Sequence, residues 1–131
     1  MFQHPHYLMV NVSDMPRSVA FYRDTLGLRL KFESPDWTEF DTGTTTVALH
    51  KAPCPDAKPA ASTGPTAGSC SFGFSVEDLD ATWRTLQGKQ VRFVMPPTLR
   101  EEEGIRLAVF LDPDGLAISL AEPVAKAEPR A

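Results

Sequence analysis

Hydrophobic and polar positions alternate from Tyr7 to Val12, with Leu8, Val10 and Val12 on one face and Tyr7, Met9 and Asn11 on the other. A period of two marks a strand half buried on one side. Ser13 or Asp14 then offers a helix N-cap, and Pro16 suits the first turn. Val19, Phe21, Tyr22 and Leu26 follow at helical spacing, and Gly27 predicts a left-handed end to that helix. Runs at 28–32, 37–41 and 45–51 read as strands, the last two joined as a hairpin through Thr42, Gly43 and Thr44. The order is β-α-β-β-β.

The same order returns in the second half. Across 70–76, Phe72, Phe74 and Val76 share one face and Ser71, Gly73 and Ser75 the other. Asp78 is the expected cap of a helix carrying Leu79, Trp83 and Leu86 and closed by Gly88. Strands are expected at 91–94, 106–111 and 116–121. Between the last two, Asp112-Pro113-Asp114-Gly115 has the proline and glycine placement of a type I turn. Laying 12–15 over 76–79 gives a constant offset of 64, and the match fades beyond the helix. The repeat therefore lies in element order and cap chemistry more than in identity. Between the modules (about 6–51 and 69–122), Ala52 to Gly68 holds four prolines, which precludes a regular helix or central strand and reads as a surface linker. Residues 123–131 read as a disordered tail.

Composition narrows the class. A chain of 131 residues with 42% hydrophobic residues supports one compact domain with a core. The net charge of −4 argues against a nucleic-acid binder, which would carry a basic stripe. No run approaches the ~20 apolar residues of a membrane span. The first residues lack the basic and apolar regions of a secretory signal. The two cysteines, Cys54 and Cys70, lack metal or redox spacing and read as free thiols. A soluble, cytoplasmic domain is expected.

Val12 to Gly27, with Asp14, Phe21-Tyr22 and Leu26-Gly27, followed by Trp37 to Phe40, Thr45 to His50 and Phe110 to Gly115, resembles the vicinal oxygen chelate superfamily. That superfamily groups glyoxalase I, extradiol dioxygenases, fosfomycin-resistance enzymes and bleomycin-binding proteins. The resemblance covers about 7–122 and implies an α+β fold. Two βαβββ modules would form a curled mixed sheet around a concave cavity, helices outside. Leu8, Val10, Val12, Phe72, Phe74 and Val76 would then pack on the helices, leaving Tyr7, Met9, Asn11, Ser71, Gly73 and Ser75 to the cavity. It also implies a homodimer, with Phe2, Trp37 and Phe93 as covers for exposed strands; pairing of modules within one chain or by exchange stays open.

Metal-dependent members of that superfamily place four ligands on cavity-facing strands. Carried over, these positions fall on Tyr7, Ala48, Ser71 and Ser119. None is an imidazole, carboxylate or thiolate, so no metal cofactor is expected. His6 lies on the opposite face by strand parity, and a single His50 near the rim does not make a metal site. What remains is a pocket for a small organic molecule, lined by Tyr7, Met9, Trp37, Ala48, His50, Ser71 and Ser119, with Arg106 as a candidate for an anionic group. Trp37 either stacks on a planar ligand or packs at an edge. Met9 fills space or touches ligand, and Tyr7 donates a hydrogen bond or plugs the vacated metal position. His50 is the candidate catalytic residue, as histidine suits proton transfer near neutrality; ligand contact and a solvated strand end are its other readings. The function classes left standing are a metal-free binding protein, a lyase or dioxygenase with displaced ligands, and a metal-free enzyme using His50 or Tyr7.

Overall fold

The computed structural model describes residues 1–52 and 67–124. Residues 53–66 of the expected linker Ala52–Gly68, and 125–131 of the expected tail, lie outside the described residues. The chain divides into two compact units, Met1–Ala67 and Gly68–Ala131.

In the first unit, strand β1 (Tyr7–Val12) leads into helix α1 (Met15–Ala20), which continues as a π-helix over Phe21–Thr25. Three strands follow: β2 (Arg29–Glu33), β3 (Trp37–Asp41) and β4 (Thr46–Lys51). They form a sheet in the order β1-β4-β3-β2, with β1 and β4 parallel and the other pairs antiparallel. Asp14 caps α1 by accepting the Arg17 backbone N–H at 3.1 Å. Gly27 takes the left-handed conformation (φ 80°) that ends the helix, as its position predicts. The π-helix was not expected; its wide turn is closed by the Leu26 N–H on the Phe21 carbonyl at 2.9 Å. One face of the sheet packs on the helix. Val10, Val12, Val47, Leu49 and Phe40 are buried there with Met15, Val19 and Tyr22, and the Tyr22 and Phe40 rings stack at 6.1 Å.

The second unit repeats the plan with β5 (Phe72–Ser75), α2 (Leu79–Gly88), β6 (Phe93–Arg100), β7 (Ile105–Leu111) and β8 (Ala117–Pro123). Its sheet order is β5-β8-β7-β6, again with a parallel outer pair. Asp78 caps α2 through the Ala81 N–H at 3.1 Å. Leu79, Leu86, Phe110, Ile118 and Leu120 are buried. The Asp112 turn closes through the Gly115 N–H on the Asp112 carbonyl at 2.9 Å. The buried Asp112 carboxylate accepts two further backbone N–H groups, from Asp114 at 3.0 Å and Leu116 at 2.8 Å.

Four expectations need correction. The strands do not form one curled mixed sheet around a cavity; they hydrogen-bond into two separate four-stranded sheets, and neither is closed. Four strands are too few to close on themselves, since a small barrel needs about eight. Gly88 lies inside the last turn of α2, and the left-handed residue is Gln90 (φ 66°). The Val91 N–H on the Leu86 carbonyl at 3.1 Å and the Gln90 N–H on the Gln87 carbonyl at 2.9 Å complete a Schellman end, with Val91 and Leu86 both buried. Strand β6 runs through Pro96 and Pro97, which is tolerated because it is an edge strand and its register shifts there. Finally, β8 extends to Pro123, paired with Ile105, so regular structure reaches past 122. No helix among the described residues is long and apolar enough to cross a membrane.

Candidate functional site

The face of the first sheet turned away from α1 is set by strand parity and register. Tyr7 lies beside Thr46, Met9 beside Ala48, and Asn11 beside His50 on β4. Across β4, Ala48 is paired with Glu39 and His50 with Trp37 on β3. Side chains paired this way stand on the same face, so Tyr7, Met9, Asn11, Trp37, Glu39, Ala48 and His50 share one surface. Tyr7 and Met9 are each 48% exposed, while Ala48 is buried between its longer neighbours in the ladder.

Three rings meet there edge to face. Trp37 is 5.7 Å from Tyr7 and 6.0 Å from His50, centroid to centroid. These are the separations at which aromatic pairs attract. His50 Nδ1 is 3.2 Å from Asn11 Oδ1, so a neutral imidazole that donates to the amide oxygen leaves Nε2 as an acceptor. Trp37 Nε1 donates to Glu39 Oε2 at 2.8 Å. Strand alternation makes Asn11 legible as a face residue, but Glu39 is not among the residues the sequence singles out. The available signal was the two-residue spacing of Trp37 and Glu39 on one strand.

The second sheet gathers a different set. Ser71 is exposed just before β5. Gly73 is paired with Ser119, and a Cβ on Gly73 would lie 2.8 Å from both Ser119 Cβ and the Ser119 carbonyl oxygen. Ser119 is in turn paired with Val109, and Ala121 with Leu107. Arg106 is not on this face. It stands at odd spacing from Val109 and reaches α2, where Nη1 and Nη2 donate to the two Asp80 carboxylate oxygens at 2.9 and 3.0 Å. Glu122 Oε1 accepts from Nη1 at 3.4 Å. That fork holds the Asp80 carboxyl below its usual pKa, through the hydrogen bond first and the charge second. It also commits Arg106 to structure. Phe93 is likewise drawn inward, 5.8 Å from Phe110 and 6.5 Å from Trp83.

Tyr7, Ala48, Ser71 and Ser119 offer a phenol, a methyl group and two hydroxyls, which do not suit a divalent ion. Among the described residues, no three His, Cys, Asp or Glu side chains gather to hold a metal. A separate open depression of about 620 Å³ lies in the first unit, lined by Ser13, Asp14, Met15, Pro16, Glu33, Ser34, Pro35 and Lys51. It sits at the α1 start and the β2–β3 turn, and its lining does not include Tyr7, Trp37 or His50.

Comparison with known proteins agrees with this architecture. The chain is 32% identical over 109 residues to the uncharacterized protein YraH of Bacillus subtilis (strain 168), a span of 79% of this chain and 85% of that one. The crystal structure of SMU.1112c superposes with a TM-score of 0.82 at 23% identity, covering 93% of this chain and all of that one. TnmS3, an antibiotic binding protein from Streptomyces sp. CB03234, superposes with a TM-score of 0.73 at 26% identity, covering 93% and 97%. The glyoxalase family model matches residues 4–120, and the chain belongs to the Glyoxalase/Bleomycin resistance protein/Dioxygenase superfamily.

Proposed function

We propose that this chain binds a small planar organic molecule on the exposed face of its first sheet, without a metal of the superfamily type. The observation that carries the reading is the ring cluster of Tyr7, Trp37 and His50, standing on the face opposite the packed core with Met9 half exposed beside it. Aromatic surface next to a thioether suits a flat, apolar ligand body, with His50 Nε2 as a hydrogen-bonding handle. The antibiotic-binding description of TnmS3 is consistent with a binding role. His50 serves here as a ligand contact; its observed partner is the Asn11 amide, not a carboxylate that would orient a general base. Exposed Phe32 on edge strand β2, and Val94 and Leu99 on edge strand β6, are in keeping with a homodimer, which sedimentation at the mass of a single chain would remove.

The test is titration of the ¹⁵N-labelled chain with 2-naphthol. Shifts should concentrate at Tyr7, Trp37 and His50, and Trp37→Leu should weaken binding about tenfold, which is the effect of ~1.4 kcal/mol of lost ring contact. Shifts scattered over the chain, or equal binding by the variant, would discard the reading.

A further inference from the structure

Trp37 and Glu39 stand two residues apart on β3, so their side chains leave the strand on the same face. The part-buried bond from the indole N–H to Glu39 Oε2, at 2.8 Å, has an ionised acceptor and is therefore stronger than a neutral pair. The other carboxylate oxygen lies 3.7 Å from Lys31 Nζ. That ammonium also donates to Thr46 Oγ1 at 3.3 Å. Lys31 reaches Glu39 because the pairing of Arg29 with Asp41 and Leu30 with Phe40 brings it opposite Glu39 on the neighbouring strand, just before the ladder shifts at Phe32. The chain Lys31–Glu39–Trp37 thus crosses β2 and β3 and ends on the largest ring of the cluster.

We infer that Glu39, steadied by Lys31, is the positioning residue for the Trp37 indole, and that this face therefore selects ligands through the ring surface of Trp37, whose N–H is already taken. The inference rests on the proposed ligand-binding role and deepens it. Without the carboxylate, the indole rotates about two side-chain torsions and presents a different surface in each rotamer. With it, one surface is fixed before a ligand arrives, and less ordering is left to binding. Flat aromatic molecules that need no hydrogen bond from the indole are the class this arrangement takes.

The test uses the full chain labelled with ¹⁵N. Its two tryptophans give two indole N–H signals, and Trp37→Leu assigns them. Glu39→Ala should speed solvent exchange of the Trp37 indole proton about tenfold, as loss of one hydrogen bond predicts. Glu39→Gln, which keeps an acceptor oxygen, should restore slow exchange, and unmoved backbone amide signals of the buried Val10, Val47 and Leu49 show that the first unit is intact. Binding of 2-naphthol should fall about fivefold in Glu39→Ala and less than about twofold in Glu39→Gln. Unchanged indole exchange in Glu39→Ala overturns the positioning role whatever the probe does. Faster exchange with 2-naphthol bound as tightly as by the wild type overturns its consequence for selection. Equal binding by wild type and Trp37→Leu instead discards the ligand-binding reading and takes the claim on selection with it, while the exchange data still decide the positioning role.

Discussion

The two units use one plan and differ on the face the plan leaves open. In the parallel pair at the edge of each sheet, Met9 beside Ala48 in the first unit corresponds to Gly73 beside Ser119 in the second. Following the ladders outward, Tyr7, Asn11, His50, Trp37 and Glu39 correspond to Ser71, Ser75, Ala121, Leu107 and Val109. Every ring, imidazole and carboxylate of the first set is replaced by a small or aliphatic side chain in the second. The helix-facing positions do not diverge in this way: Phe40 and Phe110 occupy matching strands, and both have no exposed surface. Folding constrains the packed face of each sheet, whereas the open face is free to be furnished or stripped. The furnished face is the better candidate for recognition.

If that division is right, the largest effects should be the same in both units. Phe40→Ala and Phe110→Ala should each cost about 3–5 kcal/mol, the usual loss for a fully buried phenylalanine, measured by urea unfolding at equilibrium. Against a total stability of about 5–15 kcal/mol, either change brings the chain close to unfolding. A twofold disparity between them would mean that one unit is only loosely packed. Smaller effects should separate the open faces. Gly73→Ala must push a Cβ against the Ser119 backbone oxygen, 2.8 Å away, and should cost about 1–3 kcal/mol through forced backbone displacement. Met9→Ala, at the matching position, should change stability by less than about 1 kcal/mol because its side chain is half exposed. Equal costs at the two sites would erase the contrast.

Where side chains obey a local rule, the sequence was legible. Asp14 and Asp78 act as caps, Gly27 ends the first helix, β3 has its expected bounds, and the alternation at Tyr7–Val12 separates core from open face. The misses needed information from elsewhere in the chain. Gln90 takes the left-handed position because the Val91 N–H bonded to the Leu86 carbonyl, with both side chains buried, sets where α2 stops, and that closure outweighs the preference for glycine. Pro96 and Pro97 become strand residues because β6 has a neighbour on one side only. Arg106 looked available because its partner Asp80 lies 26 residues away on α2. Glu39 is legible in its two-residue spacing from Trp37, but its partner Lys31 is set by the pairing of β2 with β3, which no periodicity within one strand announces. Curling of the sheet was implied by family resemblance alone, and no residue pattern demanded it.

The smallest effect concerns how the second unit ties its helix to its sheet. Asp80, in the first turn of α2, corresponds at the 64-residue offset to Pro16 in α1, which has no carboxylate to offer. The Asp80–Arg106 fork is therefore a fastening that the first unit does not share at this position. Because Arg106 lowers the Asp80 pKa on folding, the unfolded chain binds a proton more readily than the folded one. The stabilisation is then complete above the ordinary aspartate pKa of about 3.9 and is lost as the pH falls through the lower folded value. Asp80→Asn should be less stable than the wild type at pH 7, and the two unfolding midpoints should converge as the pH is taken from about 5 to about 2. The side chains of Asp80 and Arg106 are 47% and 29% exposed, so screening keeps the effect small, and about 1 M salt should narrow the gap at pH 7 as well. A gap that stays constant across this pH range would assign the loss to the substituted helix position itself, and the fork would then contribute nothing to the second unit that the first unit lacks.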